Sequence, residues 1–324
     1  LGAQFAPYNG WERAEWYAQP GDDTSWEATQ TWGRAGPWEK RIQAEAEAVR
    51  DGVGVLDLPG FTRLRLVGPG ARAHLASLTA SKLPQPGRTG LLYFADARGR
   101  IVTEMTCLPF SDEDVGVITA AVAQSHDADI LRKGLPEGVV LEDWTDKIHC
   151  FIVTGPKARD LLASITEGDL TLPWLSVQYF AKVAGKDVAL VRVSFAGELG
   201  WEVHCDRGDA AHIYDALLAG GAKPFGMKAL NSLRIEKGYR AWKGDLSTDY
   251  SLLEGGLERF IDWTHDFPGK AALAAEKQHG VKKRFVSLKV EAGEADAPYM
   301  STLWHDGQVA GETDRPDGAV AVDG

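Results

Sequence analysis

The pattern of hydrophobic and polar positions along the chain predicts many short strands with a few helices between them. Leu64 and Leu66 alternate with Arg63 and Arg65, which is the pattern of a half-buried strand. Three strand-like runs then fill residues 90–121, and the first two are joined by an Asp-Ala-Arg-Gly turn. Further strands are predicted over 147–155, 187–195, 200–206, 283–291 and 301–313, the last run being a hairpin around Asp306-Gly307.

Amphipathic segments between these strands predict helices. Pro37 stands in the first turn of the first helix, where a missing N–H is tolerated, and Gly52 ends it. Strand-rich units that each carry a few helices indicate an α+β fold, because an α/β fold would alternate strand and helix throughout. Residues 1–37 are rich in Trp without a clear period, so we expect a loop-rich arm packed by its aromatic rings. Helices are predicted over 38–51, 69–80, 125–135, 157–165, 208–222, 226–239 and 270–277.

Length, charge and cysteines restrict the class of protein. A chain of 324 residues indicates two or three compact units. The formal net charge of -11 argues against nucleic acid or an anionic membrane as the main partner. Cys107, Cys150 and Cys205 fit no zinc-site spacing and are typical of buried thiols in a reducing compartment. No apolar run is long enough for a bilayer span, no signal peptide is evident, and a start at Leu suggests a fragment of something longer.

Short catalytic motifs add little to this picture. Residues 52–57 hold two glycines of a dinucleotide-binding motif but not the third, and a predicted helix precedes them where a strand is needed. His149-Cys150 and His204-Cys205 are chain neighbours on predicted strands, so the two side chains of each pair point to opposite faces. We therefore expect core cysteines beside hydrogen-bonded histidines, and neither a thiol catalyst nor a metal site.

One predicted strand carries a carboxylate that is a candidate functional residue. Glu104 follows the Asp-Ala-Arg-Gly turn, and an apolar face of Ile101, Met105 and Cys107 would leave its side chain on the other face. A solvated strand carboxylate gives the same pattern, so the residue alone does not define a site.

Two further segments place charged residues beside glycines or on one helix face. A turn bracketed by Gly197 and Gly200 bears Glu198 and leads into Glu202, and its glycines permit close approach of a ligand or unusual backbone angles. On the following helix, Arg234 shares a face with the residues three positions away on either side. Such a set could hold a flat heterocycle whose N–H groups meet carboxylates while its ring stacks on an aromatic side chain. It could equally form surface ion pairs.

Longer segments resemble a known family. In order along the chain they read GWERAEWYA (10–18), SHDADIL (125–131), RVSFAGELGWEVH (192–204), ALNSLRIEKGYRAWKGDLSTDYSLLEGGLERFID (229–262) and DFPGKAAL (266–273). Together they resemble the aminomethyltransferase (glycine-cleavage T-protein) family, and most of all the folate-binding C-terminal region of dimethylglycine and sarcosine dehydrogenases. The resemblance implies a three-lobed cloverleaf α+β fold around a central folate channel, ending in a small β-barrel that is incomplete here. It divides the chain into an aromatic-rich arm (1–37), a two-lobed folate-binding domain (38–268) and a truncated barrel-like domain (269–324).

The family's role implies tetrahydrofolate as the cofactor and a one-carbon unit as the cargo. The expected reaction captures a methylene unit from a methylated amine such as dimethylglycine or sarcosine, or from its iminium or formaldehyde product. A flavin dehydrogenase domain or subunit would then be the partner, with FAD only if such a domain precedes this chain. Methyl transfer from a sulfonium or quaternary amine, and a non-catalytic folate-binding module, remain alternatives. The cytoplasm, or the mitochondrial matrix in a eukaryote, is the expected compartment.

The resemblance also implies roles for single residues. Glu104 takes the place of the family's catalytic carboxylate, and Glu202 that of the residue that holds the pterin edge. Two positions depart from the family pattern: Leu91 stands where a Tyr is expected, with Tyr93 nearby, and Thr119 stands where an Asn is expected. After residue 313 the final barrel strand and its folate-tail arginine are expected to be missing. The implied cofactor-binding residues are Glu202, Glu198 as a support of the turn, Arg234, Thr119, Tyr93 and Trp242.

Overall fold

A computed structural model describes residues 1–8, 11–29, 36–291, 301–313 and 320–323. The predicted helices all form, with ends that differ by a few residues, whereas the helix at 26–29 and the strands at 140–143, 166–167, 177–183 and 223–224 are additional. Helices α1 to α8 span Trp26–Thr29, Pro37–Asp51, Ala71–Leu78, Gln124–Arg132, Ala158–Ile165, Ala210–Ala219, Met227–Glu236 and Lys270–His279. Strands β1 to β18 span Ala3–Tyr8, Trp11–Tyr17, Gly54–Asp57, Phe61–Val67, Gly90–Ala95, Ile101–Ser111, Asp114–Ala120, Val140–Asp143, Ile148–Thr154, Thr166–Glu167, Val177–Val183, Lys186–Val191, Gly200–Asp206, Lys223–Pro224, Lys283–Val286, Thr302–His305, Gln308–Thr313 and Val320–Asp323.

A five-stranded antiparallel sheet in the order β5-β6-β7-β4-β8 forms the first lobe. One face of this sheet packs under α3 and α4, where Leu66, Leu75, Leu92, Met105 and Leu131 are almost fully buried. The predicted turn at 96–99 joins β5 to β6, and its glycine takes the positive φ of 79° that the turn requires.

A seven-stranded sheet in the order β10-β11-β12-β13-β9-β3-β14 forms the second lobe. Its strands pair antiparallel except for the short β14, which runs parallel to β3. Helices α5 and α6 cover one face with Leu162, Ile213 and Leu217, against Val203 of β13. The mixture of antiparallel sheets and segregated helices confirms the predicted α+β class.

The two sheets meet through a small apolar cluster, called here the inter-sheet cluster. It joins Leu108 and Ile118 of the five-stranded sheet to Val177 and Val191 of the seven-stranded sheet. Phe61, Tyr179 and Val193 pack around it and are partly buried. The relative placement of the two sheets therefore depends on these aliphatic contacts together with hydrogen bonds, among them the one that the Tyr179 hydroxyl donates to the Pro109 carbonyl at 2.8 Å.

The prediction of a loop-rich arm at the N-terminus is wrong. Strands β1 and β2 form an antiparallel hairpin, and β2 packs on α2 and α7. Trp16 and Tyr17 are consecutive and both buried, which hides the period of two from the sequence pattern. The carboxylate of Glu45 on α2 accepts the backbone N–H groups of Tyr17 and Gly226 at 2.7 Å and 2.8 Å, so it links the hairpin to α7.

The C-terminal part forms a four-stranded sheet in the order β15-β18-β17-β16, with the predicted hairpin at Asp306-Gly307. The sheet is open, in agreement with an incomplete barrel. The expectation that the last strand is missing is wrong, because residues 320–323 pair with both β15 and β17. Residues 314–319, which include Arg315, lie outside the described ranges. Among the helices described, none combines the length and the apolar character that a membrane span requires.

Candidate functional site

Glu104 and Tyr93 face each other across neighbouring strands. The register of β5 and β6 places them as direct partners, so their side chains emerge on the same face. The alternation of burial along β6 confirms the predicted arrangement, with Ile101 and Met105 buried on one face and Glu104 on the other. Leu91 lies two residues before Tyr93 on the same strand and therefore on the same face, where it is partly exposed.

The environment of Glu104 raises the pKa of its carboxyl towards neutral pH. Burial raises the pKa of Glu104 to about 7, and a hydrogen bond from Tyr93 opposes that increase. Burial and the nearby Glu104 charge raise the pKa of Tyr93 far above its usual value, although Arg240 and Arg259 act in the other direction. Tyr93 therefore keeps its proton and donates a hydrogen bond to the carboxylate, while Glu104 can take up or release a proton near pH 7.

Arg240 belongs to this group but was not predicted from the sequence. Its guanidinium lies 4.4 Å from the centroid of the Phe285 ring, and its Nε is buried without a hydrogen-bond partner among the described residues. Burial lowers the pKa of Arg240, with the charge of Arg259 adding to the effect. The signal in the sequence was its position in the family segment GYRAW, three residues after Lys237.

Glu202 lies on β13 beside a histidine and a cysteine. Glu202 and His204 are two residues apart on one strand and so share a face, and His204 Nε2 lies 2.9 Å from Glu202 Oε2. Cys150 of β9 is the direct cross-strand partner of His204, and its Sγ lies 3.8 Å from the same ring nitrogen. Cys150 and His204 are buried, whereas 23% of the Glu202 side chain is exposed.

Glu198 lies in the turn that precedes Glu202, and its carboxylate pairs with Lys237 Nζ at 3.2 Å. Gly197 has a φ of 77°, and a Cβ atom there would collide with the Lys237 side chain, so the turn needs glycine at this position. Next to the turn, the rings of Phe195 and Tyr239 are nearly parallel at 18°, with centroids 6.2 Å apart and both partly exposed.

Arg234 lies in the protein interior, where it forms an ion pair with Asp245. Its Nε donates to Asn231 at 2.7 Å, and Nη1 donates to the Tyr239 carbonyl at 2.9 Å. These contacts attach the end of α7 to the segment that follows it. In that segment Trp242 is partly buried against an apolar cluster, and Lys243 Nζ lies 5.0 Å from its ring centroid.

Thr119 lies with a buried aspartate that was also not predicted. Its hydroxyl donates to Asp127 of α4, whose side chain is fully buried. Thr103 donates to the same carboxylate at 3.0 Å, and His126 Nδ1 lies 2.8 Å from its other oxygen. Because Thr103 immediately precedes Glu104, Asp127 fixes the strand that carries Glu104 from the opposite face. The His-Asp pair of the SHDADIL segment was the available signal.

The structure thus divides the predicted residues into separate groups. Glu104 and Tyr93 are together, and Glu202 lies with His204 and Cys150. Arg234 on α7 holds the segment after that helix, which carries Trp242. Glu104 and Glu202 are on different sheets, which meet at the inter-sheet cluster.

Comparison with known proteins matches this chain to one family. The model of the GCVT N-terminal domain matches residues 1–265. The mitochondrial dimethylglycine dehydrogenase of Mus musculus is 32% identical over 316 residues, covering 94% of this chain and 36% of that protein. The aminomethyltransferase of Thermosynechococcus vestitus is 28% identical over 316 residues, covering 96% of this chain and 79% of that protein. The chain spans about a third of the length of the dehydrogenases that it matches.

A solved structure agrees with the architecture. The glycine cleavage system aminomethyltransferase T from Bartonella henselae superposes with a TM-score of 0.82 at 18% identity, covering 99% of this chain and 86% of that one. This likeness shows the fold. Together with the family match over most of the sequence, it shows that the chain belongs to the GCVT aminomethyltransferase family.

Proposed function

We propose that this chain binds tetrahydrofolate and transfers a one-carbon unit to it, capturing a methylene group from a methylated amine such as dimethylglycine or sarcosine. The observation that supports this most is the Glu104–Tyr93 pair, because a carboxyl with a pKa of about 7 suits proton transfer at neutral pH. The mitochondrial dimethylglycine and sarcosine dehydrogenases among the relatives suggest the donor class. They also suggest that a flavin dehydrogenase domain or subunit supplies the donor.

The residues around Glu202 fit a pterin ring. A carboxylate can accept several hydrogen bonds, and His204 uses only one acceptor position of Glu202, which leaves capacity for the N–H groups of a pterin edge. The partly exposed rings of Phe195 and Tyr239 offer aromatic surface beside the turn that leads to Glu202. Arg234 is committed to Asp245, so we propose that it shapes the site by holding the segment after α7.

Tetrahydrofolate supplies the nucleophilic nitrogens that accept the one-carbon unit. Glu104 would accept and return the proton that this addition moves, at its carboxyl oxygens, and its negative form would favour the positive charge that develops nearby. Tyr93 would orient the carboxyl by donating its hydroxyl hydrogen, since its own pKa stays high. The buried Asp127 would keep the strand in place through Thr103.

Replacing Glu104 tests this function. With tetrahydrofolate and formaldehyde as the one-carbon source, we expect wild-type protein to form methylenetetrahydrofolate faster than the uncatalysed condensation. Glu104→Gln should lower the catalysed rate by at least about 100-fold while folate affinity, measured by calorimetry, changes little. Glu113→Gln, an exposed carboxylate just beyond the same strand, should leave the rate unchanged.

The alternatives give different results in the same assays. Unchanged turnover in Glu104→Gln would contradict the catalytic role. Folate binding without transfer from formaldehyde or any methylated amine would favour a non-catalytic folate-binding module. Methyl transfer to tetrahydrofolate from a sulfonium or glycine betaine, without added formaldehyde, would instead identify the chain as a methyltransferase.

A further inference from the structure

Cys150, Glu202 and His204 bring a thiol, a carboxylate and an imidazole to one point between β9 and β13. One ligand atom from each lies within 4.8 Å of the other two. The sequence did not reveal this group, because it depends on the pairing of His204 with Cys150 across two strands that are 54 residues apart. Sulfur, nitrogen and carboxylate oxygen are the three ligand types that zinc-class ions take from proteins.

We propose that Cys150, Glu202 and His204 form a binding site for a divalent ion of the zinc class, and that the ion and a folate exclude each other there. The exclusion rests on the proposed function, because it assumes that Glu202 holds the pterin. The ion-binding site itself depends only on the geometry of the three side chains.

Two of the three ligand pairs suit a tetrahedral ion with small adjustments. Zinc bonds of about 2.3 Å to sulfur and about 2.0 Å to nitrogen or oxygen place neighbouring ligand atoms roughly 3.3 to 3.6 Å apart. Cys150 Sγ and His204 Nε2 are 3.8 Å apart, and His204 Nε2 and Glu202 Oε2 are 2.9 Å apart, so movements of a few tenths of an ångström would bring both pairs into range. Cys150 Sγ and the Glu202 carboxylate lie within 4.8 Å of each other, so this third pair would need a larger approach. Three protein ligands leave a fourth position for water or another small ligand.

Access also fits an ion. The exposed fraction of Glu202, 23%, gives an entry path to the two buried ligands.

Cobalt(II) is the probe of choice, because its visible and thiolate-to-metal absorption bands report sulfur ligation in a tetrahedral site. Titration of the metal-free, folate-free chain should give both bands at one equivalent. Cys150→Ser should abolish the thiolate band, and His204→Gln should weaken cobalt binding at least roughly tenfold. Cys205→Ser is the matched control, because Cys205 is the chain neighbour of His204 but packs in the core on the opposite face. It should bind cobalt like the wild type.

The outcomes separate the two proposals. The metal site is wrong if the wild type shows no thiolate band, or if the band persists in Cys150→Ser. The wild-type measurement is valid whether or not the variants fold. Tetrahydrofolate binding, measured with a chelator present, tests the folate proposal independently of any ion. If folate binds and cobalt affinity does not fall when folate is saturating, mutual exclusion is wrong while the ion site stands. If cobalt binds but folate does not, the proposed function fails and the metal site survives.

Discussion

At the scale of single residues, the carboxyl of Glu104 couples folding to pH. Its pKa rises from 4.5 to about 7 on folding because the carboxyl is taken out of water. The folded chain therefore binds this proton more tightly than the unfolded chain. The contribution to stability is complete below the unfolded pKa and is lost as pH rises through the folded pKa.

Relative to the wild type, the Glu104→Gln variant should gain more stability at high pH than at low pH. The neutral amide does not titrate, so the variant avoids the loss that the wild type undergoes between about pH 4.5 and about pH 7. Melting temperatures at about pH 5 and about pH 8 test this, and the variant's advantage should be larger at the higher pH. The melting temperature of Glu113→Gln should differ from that of the wild type by the same amount at both pH values. A pH-independent difference for Glu104→Gln would contradict the shifted pKa.

A site can be predicted from the sequence only as far as its residues lie close together along the chain. The face of Glu104 follows from the local alternation of β6, with Ile101 and Met105 as the reference. Its pairing with Tyr93 spans one short hairpin. The meeting of Cys150 with His204 needs the register of two strands that are separated along the chain by three other strands and a helix, and no local pattern encodes that register.

At the scale of elements, a single carboxylate attaches the N-terminal hairpin to two helices. Glu45 is buried on α2 and accepts the N–H of Tyr17 on β2 and the N–H of Gly226 at the start of α7. A Cβ atom at Gly226 would collide with the backbone of Glu15, so strand and helix are already in close contact there. The sequence shows a polar residue at a helix position and offers no sign of these partners. The hairpin itself escaped prediction because the consecutive buried residues Trp16 and Tyr17 break the period of two.

Glu45→Ala should loosen this junction. It leaves two buried N–H groups without acceptors, and the free energy of unfolding should fall by about 2 kcal/mol or more. Urea unfolding measures the loss, and hydrogen exchange at the Tyr17 and Gly226 amides should accelerate more than elsewhere. Glu47→Ala, an exposed substitution on the same helix, should have little effect on either measurement. Unchanged exchange at both amides in Glu45→Ala would show that the carboxylate does not hold the hairpin.

At the scale of the whole molecule, the proposed folate site is assembled from two sheets that could each fold around a core of its own. Glu104 belongs to the sheet whose core includes Leu92 and Met105, and Glu202 to the sheet whose core includes Val203. The helices and the α+β class followed from local periodicity. The way the sheets meet did not, because β11, which supplies Val177 to the inter-sheet cluster, carried no pattern that identified it as a strand.

Two valines on β12 allow the contribution of the sheet-to-sheet contact to be measured. Val191 lies in the inter-sheet cluster, whereas Val188 packs in the core of the seven-stranded sheet, and both are buried. Shortening either one to Ala removes the same two methyl groups and should lower the free energy of unfolding by about 2 kcal/mol. If the folate contacts both Glu104 and Glu202, only Val191→Ala should also weaken tetrahydrofolate binding, because only that change alters how the two sheets are placed. Calorimetric titration with tetrahydrofolate, at a temperature where both variants are folded, measures the two affinities. Equal affinities would mean that the ligand is held by one sheet alone.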